Sequence, residues 1–455
     1  MRELTLFVVA ATAIVCFPLL PRIIRVFWRR PAWAIVLTIV LVAIPFRSGS
    51  ASQPGTHVTL ADLGAVILVG CTGLRLMFDR DRRPLQSWVV LPLVALTAAL
   101  VLSTVFAPGP SQIGGAVRYL EIFVVVPFCA YIAVRDARDK ELVMRAVLGL
   151  GIFEGMIGVY QYLTGTGAGF GTARVRAIGT FGAYDIIALS KVVAYALIVA
   201  LAWTMAGDQR RRRVGALCAV FLVAPLAMSL SRGSWVGAIV AIVVMLLAWD
   251  VRRGLAIVAV GTTMFALAIA LQGPNSTERK RVDTLVGAVS GSPDNSVRNR
   301  YVLWSAAFGI WEDHPITGTG PKTFADYKSS YAGLNFSDSS AVSDSSGFRV
   351  VQLLTPHSLY MLVLAELGAL GAFAFVLFVV SLLVASLRSV RASSAIPDRR
   401  CYALFALGTI VFFAVTSVYG DLGGPTTVLE ALLLGLVLVD AAHVAVPVRE
   451  PVAVH

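Results

Sequence analysis

Apolar residues arrive along the chain in blocks, at roughly 4–20, 32–46, 59–78, 88–106, 119–134, 142–163, 185–206, 214–231, 234–249, 254–272, 357–386, 401–419 and 427–446. Most blocks are close to the roughly 20 residues that cross a bilayer as a helix. The pattern therefore predicts an all-α polytopic membrane protein with about 12–13 transmembrane helices. One stretch, about 273–356, breaks the rhythm and is rich in Ser, Asp, Gly and Asn. Inside it, residues 298–313 (RNRYVLWSAAFGIWED) put Tyr301, Trp304, Ala307, Phe308 and Trp311 at helical spacings. That stripe predicts an amphipathic helix lying against the bilayer or capping the bundle. The chain thus divides into an N-terminal transmembrane bundle of about ten helices (1–272), a loop (273–356), and C-terminal transmembrane helices with a short tail (357–455). A loop of this length in a compact protein is usually a lid or binding element. The first block follows a single basic residue, Arg2, without a small-residue cleavage site, and reads as a retained span.

Composition agrees. The chain is 57% hydrophobic and only 14% charged, against about a quarter charged in soluble domains. Its net charge of +12 reports topology before it reports a nucleic-acid partner, because Lys and Arg gather in cytoplasmic loops. Alternate connections bear this out: one set holds 21 basic residues, in groups such as Arg80/Arg82/Arg83 and Arg210 to Arg213. The other short connections hold five: Arg47, Arg118, Arg174, Arg176 and Arg232. The first set is expected in the cytoplasm, and the second, with the long loop, outside. No nucleic-acid partner is expected. The cysteines form no C-x-x-C pair and the histidines no metal spacing, so neither a disulfide framework nor a metal site is expected.

The few external arginines carry more information than the many internal ones, because topology does not explain them. Arg176 lies in VRAIGTFGAYD, Arg232 in the tight turn SLSRGSW, and Arg300 in NRYVLW at the start of the loop helix. Three guanidiniums around one cavity suit a diphosphate, each offering a planar fork of donors; each could equally anchor its helix among lipid headgroups. His357, in LLTPHSLYMLVLAELGALG, stands where the long loop re-enters the membrane. With Thr355 as N-cap and Pro356 as first helical residue, it falls in the first turn of the next span. There the helix dipole favours a neutral imidazole able to accept a proton from an attacking hydroxyl, against the alternative of a structural histidine. Lys191 and Glu366 are charges inside spans and Asp185 sits at a boundary, which makes each a candidate functional group. Lys191 could reach an anionic group or pair with Asp185; Glu366 reads as packing or a neutral acid. Asp79-Arg80-Asp81 looks like a D-x-D metal motif but sits in a basic cytoplasmic loop, as solvated charge.

These residues resemble a family. HSLYMLVLAELGALG, from His357 to Gly371, resembles the H-[NSQ]-x9-G-x-x-G signature of bacterial O-antigen ligases, with Ser358 second and Gly368 and Gly371 as the glycines. RYVLWSAAFGIWEDHPITGTGPKTF, which includes Trp304, is similar to the R-x-x-x-W…HP-x-x-G-x-G-x-x-x-F element of the superfamily that also holds Wzy-type polymerases. SLSRGSWVG resembles its S-R-G turn, and VRAIGTFGAYDIIALS its R-x-x-G-T-F segment, although Ala183, Tyr184 and Asp185 replace the usual Asn-Pro-Asn. The resemblance spans about 59–446. It implies a GT-C-type glycosyltransferase of the bacterial cytoplasmic membrane, working on the outer face without cofactor, metal or nucleotide. Its partners would be an undecaprenyl-diphosphate-linked glycan donor, a lipid or glycan acceptor, and membrane lipids. His357 would be the catalytic base, and Arg176, Arg232 and Arg300 the diphosphate ligands, with Asp185, Lys191, Ser358 and Trp304 in support. Gly368 and Gly371, at i and i+3, are expected to allow close helix packing.

Within the family the acceptor separates a ligase from a Wzy-type polymerase and from a protein O-oligosaccharyltransferase, and these motifs do not name it. A lipid-linked oligosaccharide flippase is the alternative of another class. It predicts charges reachable from both sides, whereas the candidates here lie on one.

Overall fold

The computed structural model describes residues 20–44, 47–48, 58–78, 87–107, 109–170, 173–182, 185–271, 295–332, 339–344, 347–352, 354–420 and 423–443. All but the last residue of the expected first span lies outside them, as does the Asp79-Arg80-Asp81 triplet.

The described helices are α1 (Leu20–Arg29), α2 (Ala32–Val42), α3 (Leu60–Phe78), α4 (Ser87–Phe106), α5 (Pro110–Leu120), α6 (Val126–Ala133), α7 (Ala137–Thr164), α8 (Ala188–Ala206), α9 (Gln209–Met228), α10 (Arg232–Trp249), α11 (Val251–Leu271), α14 (Leu359–Ala392), α15 (Pro397–Thr416) and α16 (Pro425–His443), with α12 (Asn295–Asp313) and α13 (Phe324–Tyr331) between α11 and α14; α1 and α5 form in connections between the expected apolar blocks. A π-helical turn, Glu121–Val125, joins α5 to α6 in one span. Nine of the described helical segments are long and apolar enough to cross a membrane, so the protein is an all-α polytopic membrane protein. The ends are locally encoded. In α7 the Asp136 side chain accepts from the Asp139 N–H at 2.7 Å, and Gly165, with φ +74°, closes the helix in the left-handed region.

At the centre stand α8, α15 and α16, buried over 89%, 78% and 100% of their spanning windows. Lipid is as apolar as a leucine side chain, so such helices are held by close packing and polar contacts. Gly151 of α7 faces Ala196 of α8, with no space for a Cβ, and Gly215 of α9 lies against the Ala200 carbonyl and Thr204.

The basic connections meet one another at one end of the bundle. Arg30 lies 3.7 Å from Asp136, and Arg211 contacts Asp398 at 2.6 Å and Glu141 at 3.6 Å. Arg400 donates to the Trp249 carbonyl.

The long loop departs from an all-helical reading. It contributes a hairpin, β5 (Ser339–Asp344) and β6 (Gly347–Gln352). This pairs with a second hairpin, β3 (Ala168–Phe170) and β4 (Ala173–Arg176), in the order β4-β3-β5-β6, with Gly169 opposite Ser343. A two-residue pair, β1 (Arg47–Ser48) with β2 (Val58–Thr59), lies elsewhere. The helix at 298–313 forms, as α12, but its buried stripe is Leu303, Ala306, Ala307 and Ile310, packed on α14; Tyr301 and Phe308 remain exposed. Aromatic content marked the helix, and the aliphatic i, i+3, i+4, i+7 set decides which face is covered.

Candidate functional site

Four connections converge at the other end of the bundle. The first is the segment after β4. Arg176, opposite Ala168 in the hairpin, is only 6% exposed, and the next residue, Ala177, donates its N–H to the Met228 carbonyl at 3.1 Å. That bond joins the Arg176 segment to the α9–α10 turn, where Leu230 has φ +50° and Ser231 is the N-cap residue of α10. Arg232 is therefore the first residue of α10. The turn is braced by Ser234 Oγ, 2.7 Å from Ser190 Oγ and 3.1 Å from Ser231 Oγ.

Tyr419, in the turn after α15, links this to the loop helix. The guanidinium of Arg300 lies 5.8 Å from its ring centre, and Gly233 packs so closely that a Cβ would come 3.0 Å from the tyrosine Cβ. One helical turn beyond Arg300, Trp304 donates its indole N–H to the Pro356 carbonyl at 3.0 Å. The residue after Pro356 is His357. Leu359, at the start of α14, donates to the Ser417 carbonyl at 2.8 Å, and Tyr360 donates to the Ala414 carbonyl at 3.1 Å. Arg176, Arg232, Arg300, Trp304 and His357 thus belong to one connected set of segments.

His357 is not in the first turn of its helix, as the Thr355-Pro356 pattern suggests. Ser358 is the N-cap, accepting from the Met361 N–H at 3.4 Å, and His357 precedes it with φ +50°. A serine next to the apolar run is the better cap, and the chain arriving from the β5–β6 hairpin turns sharply at the histidine to enter it. A non-glycine residue in this left-handed region is strained, and such strain is common at functional positions.

Lys191 Nζ is 3.0 and 3.1 Å from the two oxygens of Glu430 on α16, whose Oε1 also accepts from Tyr195 Oη at 3.3 Å. Asp185 accepts from Thr426 Oγ1 at 3.3 Å and closes over Gly424. The expected helix packing at Gly368 gives way to a break: Gly368 has φ +64° inside α14, and a Cβ there would strike the Ile316 carbonyl. Gly371, in the turn after the break, meets Leu367 of its own helix. The HPITGTG loop occupies the break, with Ala369 donating to Pro315 (2.9 Å), Thr319 to Ala365 (3.1 Å) and Gly320 to Glu366 (3.0 Å). Helical backbone groups freed within a span must find such partners. The side chain of Glu366 also holds the loop, accepting from the Phe324 N–H at 3.2 Å and Tyr119 Oη at 3.0 Å.

Sequence reasoning missed Glu154, Gln161, Tyr119, Tyr419 and Glu430. Glu154 and Glu430 lie inside predicted spans, so the rule that flagged Lys191 and Glu366 should have flagged both. Tyr419 carried no signal beyond its place at the end of a span.

No curated protein matches the chain. A family model described as O-antigen ligase matches residues 217–376, which contain Arg232, Arg300, Trp304, His357 and both glycines and leave out Arg176, Asp185 and Lys191. The S-R-G turn, the HPITGTG loop and the His357 to Gly371 segment all fall inside that stretch, over which the chain is similar to the O-antigen ligase family.

Proposed function

We propose that the protein is an inverting, metal-independent glycosyltransferase that moves a glycan from an undecaprenyl-diphosphate donor to an acceptor hydroxyl. The reading rests chiefly on the convergence of Arg176, Arg232, Arg300 and the His357 segment, from three connections distant in sequence, at the end of the bundle away from the arginine-rich loops. Charge counting puts that end on the outer face of the bacterial cytoplasmic membrane. The loop 273–356 is the external element over the donor and acceptor, between the bundles 1–272 and 357–455.

In this reaction His357 takes the proton of the acceptor hydroxyl, and the resulting oxygen nucleophile attacks the anomeric carbon opposite the leaving group. The carbon–oxygen bond to the diphosphate breaks, and both bonding electrons stay on the diphosphate. Preorganised arginines in a site shielded from water stabilise that charge as it develops. Attack opposite the leaving group inverts the anomeric centre. Ligase-type transfer to a lipid-borne acceptor is favoured over polymerisation by the spacing of His357, Ser358, Gly368 and Gly371, which resembles the ligase signature.

The test is transfer by the purified protein in lipid, without added metal, from an undecaprenyl-diphosphate glycan to a panel of lipid-linked, glycan and protein acceptors. Product of inverted anomeric configuration is expected from the wild type and none from His357→Ala. Lipid translocation that survives His357→Ala, without transfer to any acceptor, overturns the reading in favour of a flippase.

A further inference from the structure

We propose that Glu154 and Gln161 of α7 are positioning residues that hold Arg176 in its donor-binding orientation; the proposal rests on the reading of Arg176 as a diphosphate ligand. The two side chains are seven residues apart, hence on one face of the helix, and both reach the short segment after Arg176. Gln161 makes three hydrogen bonds there: its Oε1 accepts from the N–H groups of Ile178 (3.0 Å) and Gly179 (2.8 Å), and its Nε2 donates to the Gly179 carbonyl (2.8 Å). Glu154 is fully buried, and its two oxygens face a single residue: Oε2 accepts from the Thr180 N–H at 2.9 Å, and Oε1 lies 2.8 Å from Thr180 Oγ1. The same hydroxyl is 2.7 Å from the Ala43 carbonyl, which fastens the segment to α2 as well.

The intervening residue shows how closely this is built. Gly179 has φ +64°, and a Cβ on it would strike Glu154 Oε2. The glycine-threonine pair is therefore needed twice, once for its backbone conformation and once to let a carboxyl approach the main chain. Strand pairing with Ala168 fixes Arg176 from the other side, and the Ala177 bond to Met228 sets its segment against the turn that carries Arg232. Nothing in this arrangement requires Glu154 to touch a substrate. Its effect passes through the backbone to a buried guanidinium whose contribution depends on being held in place before the donor arrives.

A double-mutant cycle tests this, because coupled residues deviate from additivity and merely stabilising ones do not. Donor and acceptor KM and kcat are measured on the full-length protein for Glu154→Ala, Glu154→Gln, Arg176→Ala and Glu154→Ala/Arg176→Ala. A misplaced binding group costs on the order of tenfold or more, so Glu154→Ala is expected to raise donor KM at least that far and leave acceptor KM unchanged. Glu154→Gln should restore donor KM, since the amide offers an acceptor to the Thr180 N–H and a donor to Thr180 Oγ1. The double variant should bind donor no worse than Arg176→Ala alone. Should Glu154→Ala fail to fold, Thr180→Val removes only the hydroxyl contacts and is expected to raise donor KM in the wild-type background and not in the Arg176→Ala one. If Arg176→Ala impairs donor use while Glu154→Ala or Thr180→Val leaves it unchanged, or multiplies its own loss onto the double variant, the positioning role is overturned. If Arg176→Ala itself leaves donor KM unchanged, the diphosphate reading fails first and this proposal with it.

Discussion

The guanidinium of Arg300 lies 5.8 Å from the centre of the Tyr419 ring, and the same tyrosine is packed against Gly233, the neighbour of Arg232. One aromatic side chain thus stands between two helix starts, α10 and α12, that each bring an arginine to the site. The ring face attracts the cation and steadies a long side chain that would otherwise lose rotamer freedom on binding a ligand.

A cation–π contact of this kind is worth about 0.5–2 kcal/mol, so Tyr419→Leu is expected to raise donor KM roughly twofold to thirtyfold. Tyr419→Phe keeps the ring and should stay close to wild type. Equal losses in both variants would show that the hydroxyl, and not the ring, is what matters to the site. The measurement is donor titration at saturating acceptor.

The break in α14 makes a second expectation. Gly368 holds a left-handed conformation, and a side chain there would meet the Ile316 carbonyl, so Gly368→Ala combines backbone strain with a clash in the HPITGTG loop. A strained position alone costs about 1–3 kcal/mol. Thermal unfolding in detergent should show a lower midpoint, and transfer should fall more than stability does, because His357 and the loop are both referred to this turn. Retention of full stability and activity would mean that the helix can run through without the break.

How much of this was legible in the sequence follows from the kind of force that encodes each part. Span-length apolar blocks are written one after another along the chain, and each span expected beyond the first is largely helical over its described residues. The four motif segments were visible because their residue types are unusual where they stand. Long-range pairings are not written locally. Lys191 forms an ion pair with Glu430, 239 residues away, because the helix face it occupies points toward α16. The β-sheet was invisible for a similar reason, since short strands such as Ala168–Phe170 have little pattern of their own and exist through pairing. The helix at His357 is expected from Pro356, three residues too early, because a Thr-Pro pair is a good start signal, and Ser358 is a better one beside Leu359.

The contact between Trp304 and Pro356 separates positioning of the base from binding of the donor. Trp304→Phe deletes an indole N–H that reaches the carbonyl just before His357 and retains most of the ring. Loss of such a bond costs about 0.5–1.5 kcal/mol, so kcat is expected to fall roughly twofold to tenfold with donor KM unchanged. A rise in donor KM with kcat intact would instead assign the tryptophan to the donor.

The buried pair of Lys191 and Glu430 tests whether a charge inside the bundle serves the substrate or the fold. Their side chains are only 6% and 7% exposed, and Tyr195 completes the cluster. Removing one member strands the other in a medium that solvates it poorly, at about 3–5 kcal/mol, whereas replacing both with apolar residues of similar volume is often neutral. Lys191→Met is therefore expected to lower the thermal midpoint sharply, and Lys191→Met/Glu430→Leu to recover much of it. The double variant then becomes the informative protein. Gly420, next to Tyr419, lies above the ammonium, with Nζ 3.6 Å from where its Cβ would be. If the pair serves the fold alone, the recovered double variant binds donor like wild type. If the ammonium also contributes field to the diphosphate, donor KM stays raised although stability has returned, and the rise weakens as salt screens the attraction.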